Sequence, residues 1–132
     1  MFIKPKKSLG QNFLIDHYVL EQIVDAVEIA DKEVLEIGPG SGNLTTFILK
    51  KNPKKFYVIE KDDKLTLLLK DKFSDEIIII NDDVLKISED KISKEKLTVF
   101  GNLPYNISTE ILSKWIVNID KSFWFENLVL MF

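Results

Sequence analysis

The stretch Glu-Ile-Gly-Pro-Gly-Ser-Gly at residues 36–42 decides the fold that this 132-residue sequence predicts. It follows an apolar run that begins at Val34 and precedes residues 43–49, whose pattern indicates a helix. A strand, a glycine-rich turn and a helix in this order form the first unit of a doubly wound α/β nucleotide-binding fold. Because glycine has no Cβ, a ligand can approach such a turn closely. The turn alone does not establish a ligand site, since any tight strand-to-helix turn favours glycine.

Apolar segments predict that strands and helices alternate along the whole chain. Strands are expected at residues 33–37, 56–59, 77–80, 97–100 and 128–132, and helices at 17–29, 43–51 and 63–73. A further helix is expected to be capped by Ser108 or Thr109. Right-handed crossovers then give a doubly wound, mostly parallel sheet with helices on both faces. The sequence ends within the fifth apolar run, so we expect one domain over residues 1–132 that is truncated after about the fifth strand.

Two finer expectations concern burial. The run of β-branched residues at 77–80 is typical of a parallel strand that is covered on both faces. The helix at 63–73 is expected to bury Leu65, Leu68, Leu69 and Phe73.

Composition places the chain among soluble globular proteins. Apolar residues make up 45% and charged residues 30% of the chain, and no apolar run approaches the ~20 residues of a membrane helix. The chain contains no cysteine and one histidine, His17, so a disulfide, a thiolate metal site and a cysteine nucleophile are excluded, and a zinc site or a histidine-based triad is not expected. The N-terminus lacks a secretion signal. We therefore expect a cytoplasmic protein with neither a membrane nor a metal as partner.

The net charge of −3 lacks the basic balance expected of a nucleic-acid binder. The basic residues are all lysines, and some of them cluster at residues 4–7, 50–51 and 54–55. Solvated surface and loop charges are the favoured interpretation of the later clusters, and a basic N-terminal arm that contacts phosphate is the second interpretation. Charge alone does not decide between the two interpretations.

Acidic residues follow the next two predicted strands, at the edge where ligands bind in this fold. Glu60 comes about 20 residues after Gly40, the distance at which a carboxylate accepts hydrogen bonds from ribose hydroxyls. The alternative is a surface charge beside Lys61. Asp83 follows the third predicted strand and is a candidate acceptor for the exocyclic amine of an adenine. The alternative is a turn or cap residue, and Asp82 competes for either role.

The spacing of the glycines discriminates between cofactors. A dinucleotide site favours G-x-G-x-x-G, in which the third glycine eases helix packing near the pyrophosphate. Here Asn43 occupies that third position, and Gly42 comes one place earlier. S-adenosylmethionine is an adenosine without phosphates and makes less demand at this position. The pattern favours a methyltransferase over a nicotinamide-dependent dehydrogenase.

The segment Asn-Leu-Pro-Tyr at residues 102–105 follows the fourth predicted strand. The N6 amine of adenine is a poor nucleophile because its lone pair is delocalised into the ring. The side-chain oxygen of Asn102 and the carbonyl of Leu103 could accept its two hydrogens, which would favour a tetrahedral nitrogen with its lone pair directed at a methyl group. Pro104 restricts the turn, and the ring of Tyr105 could stack on a base taken out of its strand. The alternative is an ordinary strand-to-loop turn.

Taken in order, these motifs resemble the ribosomal RNA adenine N6-dimethyltransferases, a family with the Rossmann-like fold of class I S-adenosylmethionine-dependent methyltransferases. The matching segments are residues 9–14 (Leu-Gly-Gln-Asn-Phe-Leu), 36–45, 58–60, 83 and 100–109. The resemblance implies cofactor contacts at Gln11, Asn12, Leu14, Gly38, Gly40, Glu60, Asp83 and Asn102. It implies catalytic roles for Asn102, Leu103, Pro104 and Tyr105.

Within this family, Pro39 and Leu103 are typical of the enzymes that act on the small subunit. The implied reaction is N6,N6-dimethylation of two adjacent adenosines near the 3′ end of small-subunit (16S-type) rRNA during ribosome biogenesis, by a monomer that acts on the immature small subunit. The family continues into a helical C-terminal domain, so this fragment on its own need not be active. The alternatives are a large-subunit rRNA adenine methyltransferase and a non-catalytic RNA-binding assembly factor on the same fold.

Overall fold

The computed structural model describes residues 2–3, 16–103, 105–117 and 123–131. Within these ranges a single sheet contains six strands, and every pair of neighbouring strands is parallel. The strands are β1 (Phe2–Ile3), β2 (Glu33–Ile37), β3 (Lys55–Ile59), β4 (Ile78–Ile80), β5 (Leu97–Asn102) and β6 (Phe125–Met131). Their order across the sheet is β1-β6-β5-β2-β3-β4.

Four α-helices in the described ranges cover the two faces of this sheet. They are α1 (His17–Asp25), α2 (Asn43–Leu49), α3 (Asp63–Phe73) and α4 (Tyr105–Val117). Short 3₁₀ helices lie at Ser74–Glu76, Val84–Lys86 and Glu89–Lys91. In these parts of the chain, no helix combines the length and the apolar character that crossing a membrane requires.

The core has two layers because the sheet is buried on both faces. Side chains of α1, α2 and α3 pack on one face, where Val34 of β2 lies in the same buried cluster as Leu20, Ile48 and Leu69. Residues of α4 and of the segment after β4 pack on the other face, against Leu35 of β2 and its neighbours. All five residues of β2 are buried, as expected for the central strand of a doubly wound sheet. This arrangement confirms the predicted α/β architecture.

Several predicted boundaries are wrong. Helix α1 ends at Asp25 rather than near residue 29, although Ile29 is still buried. Helix α4 begins at Tyr105, so neither Ser108 nor Thr109 caps it. Strand β6 begins at Phe125, three residues before the predicted start. By contrast, the predictions for β2 and α3 match the structure residue for residue.

The two burial expectations are also partly wrong. Ile78 is 46% exposed because β4 is the outermost strand of the sheet and is not covered on both faces. On α3, Leu69 and Phe73 are buried as predicted, but Leu68 is 47% exposed and Thr66 is buried in its place. A position one residue along a helix lies about 100° around its axis, so Leu68 points away from the sheet.

The turn after β2 depends on glycine for two different reasons. Gly38, Gly40 and Gly42 all have left-handed backbone angles, with φ of 67°, 58° and 90°. At Gly42, a Cβ would also lie 2.6 Å from Cε2 of Phe73. The residue before α2 therefore packs directly on the Phe73 ring at the end of α3. At Gly40, no described atom lies within 4 Å of the position that a Cβ would take.

This difference predicts unequal effects of alanine at the two positions. Gly40→Ala is expected to cost about 1–2 kcal/mol of unfolding free energy, through backbone strain alone. Gly42→Ala adds a clash with Phe73 of about 1–3 kcal/mol and should be clearly less stable. Urea denaturation of both variants measures the difference. Equal losses of stability would contradict the packing role of Gly42.

Candidate functional site

The strand order places a topological switch point at the carboxyl ends of β2 and β5. From β2 the chain continues through α2 on one face of the sheet, whereas from β5 it continues through α4 on the opposite face. The crevice between two such strands is where ligands bind in open α/β sheets. The glycine turn lies at one side of this crevice, and Asn102 and Leu103 lie at the other.

The register of the sheet aligns the predicted site residues along one edge. Ile37 pairs with Gly101 of β5 and with Ile59 of β3, and Ile59 pairs with Ile80 of β4. Gly38 and Glu60 follow β2 and β3, and Asn102 is the last residue of β5, so these three residues lie side by side where the strands end. Sequence spacing predicted each strand end separately, and the structure brings them together.

The glycine turn and the segment after β5 are in direct contact. A Cβ at Gly38 would lie 2.8 Å from Cδ2 of Leu103 and 3.4 Å from the carbonyl oxygen of Asn102. The Leu103 carbonyl accepts a hydrogen bond from the hydroxyl of Ser108, at 3.4 Å, in the first turns of α4. Ser108 is buried, so this contact helps to orient the carbonyl of a half-buried residue.

Glu60 is fixed by its own backbone surroundings. Its N–H donates to the carbonyl of Ile80, at 3.0 Å, and its Oε2 accepts the N–H of Asp62, at 2.9 Å. The side chain is buried, with 7% of the residue exposed. The carboxylate is thus held at the carboxyl end of β3, next to the glycine turn.

Asp83 is a cap and an ionised acceptor at the same time. Its Oδ1 accepts the N–H of Leu85, at 3.0 Å, and its Oδ2 lies 3.7 Å from Nζ of Lys61. The Leu85 N–H, with help from the charges of Lys61 and Lys86, holds the pKa of Asp83 below its usual value. Asp82 is exposed and accepts the N–H of Asp83, at 2.7 Å, so it orients the turn.

Other predicted site residues lie outside this description. Gln11, Asn12, Leu14 and Pro104 are not among the described residues. Tyr105 is the first residue of α4, and only its backbone is described. Among the described residues, no group of three or more His, Asp or Glu side chains could hold a metal ion.

Glu36 is an ionisable residue beside the cleft that sequence reasoning missed. It is 1% exposed, and its Oε1 accepts the hydroxyl of the buried Thr45, at 2.5 Å. Burial is the main cause that raises the pKa of Glu36 to about 8; the Thr45 hydrogen bond opposes the rise, and the charge of Glu60 adds to it. The carboxyl group is therefore protonated at neutral pH. The available signal was an acidic residue between Leu35 and Ile37, inside the central strand.

The raised pKa of Glu36 predicts how stability depends on pH. Between its ordinary pKa of 4.5 and about 8, the folded chain holds a proton that the unfolded chain releases. Stability should therefore fall as pH rises in this window, by about 1.4 kcal/mol per pH unit from this group. Glu36→Gln keeps a neutral acceptor for Thr45 and removes the titration.

Urea denaturation of both proteins from pH 5 to pH 8 isolates the contribution of Glu36, because every other group is shared. The stability difference between variant and wild type should grow in favour of the variant as pH rises. Parallel curves would show that Glu36 does not hold its proton in the folded chain.

Comparison with known proteins places these features in a family. Residues 3–132 match the family model described as Ribosomal RNA adenine dimethylase. The Ribosomal RNA small subunit methyltransferase A of Pelagibacter ubique is 74% identical over 132 residues, which are 100% of this chain and 50% of the relative. The protein of the same name from Mesomycoplasma hyopneumoniae is 43% identical over 128 residues, 96% of this chain and 47% of the relative. The chain thus spans about half the length of the curated relatives it matches.

Solved structures agree with the fold. The 23S rRNA methyltransferase ErmE superposes with a TM-score of 0.68 at 30% identity, over 77% of this chain and 41% of that one. A dimethyladenosine transferase from Plasmodium falciparum gives 0.61 at 27% identity, over 76% of this chain and 36% of that one. The predicted class, a Rossmann-like class I methyltransferase fold, is confirmed.

Proposed function

Because this chain belongs to the ribosomal RNA adenine dimethylase family, we propose that residues 1–132 form the catalytic, S-adenosylmethionine-binding part of an rRNA adenine N6-dimethyltransferase. The substrate is a pair of adjacent adenosines near the 3′ end of small-subunit rRNA, methylated during ribosome biogenesis. The enzyme acts in the cytoplasm as a monomer, and its partner is the immature small subunit. The observation that carries this proposal is the contact of Gly38 with Asn102 and Leu103 at the crossover between β2 and β5.

The described residues around the cleft fit an adenosine cofactor without a pyrophosphate. Gly40 presents bare, left-handed backbone with no described atom within 4 Å of its Cβ position. Glu60 offers a carboxylate for ribose hydroxyls, and Asp83 offers an ionised one for an exocyclic amine. When bound, S-adenosylmethionine supplies an electrophilic methyl group on a sulfonium centre. Gln11, Asn12 and Leu14 complete the proposed set of cofactor contacts.

The segment after β5 supplies the acceptors for the target base. A carbonyl oxygen has two acceptor lone pairs, so the bond from Ser108 leaves the Leu103 oxygen able to accept one hydrogen of an adenine N6 amine. The Asn102 side chain accepts the other. When both hydrogens of the amine are held in this way, a tetrahedral nitrogen is favoured. Its lone pair is then free to attack the methyl group. Pro104 and Tyr105 shape the turn and stack on the base.

A large-subunit substrate is the second candidate. It is favoured by the similarity to the 23S rRNA methyltransferase ErmE, which uses the same fold at 30% identity. The 74% identity to a small-subunit methyltransferase outweighs it. A non-catalytic assembly factor on the same fold is the remaining alternative, and retained biological function in a variant that binds no cofactor would support it.

Asn102→Ala tests the reaction. In a polypeptide of the relatives' length, the variant should transfer methyl groups to immature small subunits about 10²–10³-fold more slowly, because it lacks one acceptor that aligns the amine. The matched control is Asn127→Ala on the exposed part of β6, which should behave like wild type. Incorporation of labelled methyl groups measures both, with large-subunit RNA as a parallel substrate. Wild-type rates in Asn102→Ala would exclude the proposed mechanism.

A further inference from the structure

A buried charged cluster links α4 to the segment that follows β4. Nζ of Lys114 donates to the carbonyls of Val84, at 2.7 Å, and Ile87, at 2.5 Å, and to Oε2 of Glu89, at 3.1 Å. The indole N–H of Trp115 donates to the same oxygen of Glu89, at 2.5 Å. Glu89 is 4% and Trp115 3% exposed, so the carboxylate is shielded from water, whereas the Lys114 side chain is 22% exposed.

One end of this cluster adjoins the turn that holds Asp83. The carboxylate of Asp83 accepts the N–H of Leu85, and its carbonyl accepts the N–H of Lys86, at 2.9 Å. The carbonyl of Val84, within the same turn, is held by Lys114. The ammonium group is thus hydrogen-bonded to the same turn whose Leu85 N–H holds the Asp83 carboxylate.

Helix α4 carries this restraint to the other wall of the cleft. Ser108, on the same helix, donates to the carbonyl of Leu103. Ser108 and Lys114 are separated by about 9 Å along a helix that rises 1.5 Å per residue. A rigid helix that is hydrogen-bonded near both ends therefore connects the Leu103 carbonyl to the Asp83 turn.

We propose that Lys114 is a positioning residue, which acts together with Glu89 and Trp115 to fix the Asp83 turn relative to the Asn102–Leu103 segment. By fixing the turn, it aligns the cofactor with the methyl acceptor. This inference rests on the proposed function for its catalytic consequence. The structural consequence, that Lys114 restrains the Asp83 turn, does not depend on the proposed function.

The chemistry of the cluster favours positioning over general stabilisation. A buried ion pair often stabilises a protein no more than apolar residues of the same size would. What Lys114 adds is directional, since it reaches two carbonyls of one turn as well as a carboxylate. A misplacement of about 1 Å at a reacting group lowers rates by about 10²-fold, so small shifts of this turn matter.

The test uses two variants and a control. Lys114→Met removes the donor but leaves the charge of Glu89 buried and unpaired, which is expected to weaken the fold. Lys114→Met combined with Glu89→Gln removes the charge as well and keeps an acceptor for Trp115. The control, Lys54→Met, breaks the Lys54–Glu95 ion pair, which lies just before the first residues of β3 and β5. The side chains of this pair are 50% and 49% exposed.

The first readout needs no cofactor. Amide hydrogen exchange of Leu85 in the unliganded chain should be at least about tenfold faster in the double variant than in wild type, because the turn around Asp83 has lost an outer restraint. Lys54→Met should leave this exchange unchanged. Wild-type exchange at Leu85 in a folded double variant, or the same acceleration in Lys54→Met, would overturn the proposal.

The second readout separates positioning from loss of folded protein. In a polypeptide of the relatives' length, the double variant should show a KM for S-adenosylmethionine about tenfold higher and a kcat up to about 10²-fold lower. A purely structural role would lower kcat with the inactive fraction and leave KM unchanged, and that result would also overturn the proposal. If wild type itself transferred no methyl group, the proposed function would fail, while Leu85 exchange would still decide the role of Lys114.

Discussion

The left-handed backbone of the turn after β2 is the constraint on which the rest of the structure depends. Only because Gly38 has no Cβ can the side chain of Leu103 and the carbonyl of Asn102 approach the turn within van der Waals distance. That approach packs the segment after β5 against the turn, where β2 and β5 already pair up to Ile37 and Gly101. Gly42 is subject to the same constraint, because the Phe73 ring of α3 occupies the space that a Cβ would take.

Two neighbouring carboxyl groups close to this turn lower the stability of the folded chain. The central strand contains a carboxyl group, Glu36, that is fully buried beside a second one, Glu60. Burial and the neighbouring charge keep Glu36 protonated at neutral pH, and the hydroxyl of Thr45 donates a hydrogen bond to one of its oxygens. Natural proteins break the rules of core composition mainly at functional sites. A buried acid next to the candidate cofactor cleft fits that pattern, and its destabilising effect grows as pH rises.

Local signals in the sequence predicted the elements whose pattern is local. The glycine turn, β2 and α3 follow from short motifs and caps, and the acidic strand ends follow from spacing. Strand order is not local, so the apolar run at β4 gave no sign that the strand lies at the edge of the sheet and exposes Ile78. The pattern around Ser108 predicts a helix cap, whereas its bond to the Leu103 carbonyl depends on the path of the chain after β5, which is not local. The role of Lys114 could not be predicted from the sequence, because its hydrogen-bond partners lie 25 to 30 positions earlier in the chain.

The central claim is that this cleft binds an adenosine cofactor without phosphates, with Glu60 on the ribose. Calorimetric titration of the 132-residue chain with S-adenosylmethionine and, separately, with NAD tests it most directly. We expect one site for S-adenosylmethionine, none for NAD, and about 10–100-fold weaker binding in Glu60→Gln, which loses a charge-assisted hydrogen bond. Binding of NAD without binding of S-adenosylmethionine would contradict the account, and so would unchanged affinity in Glu60→Gln.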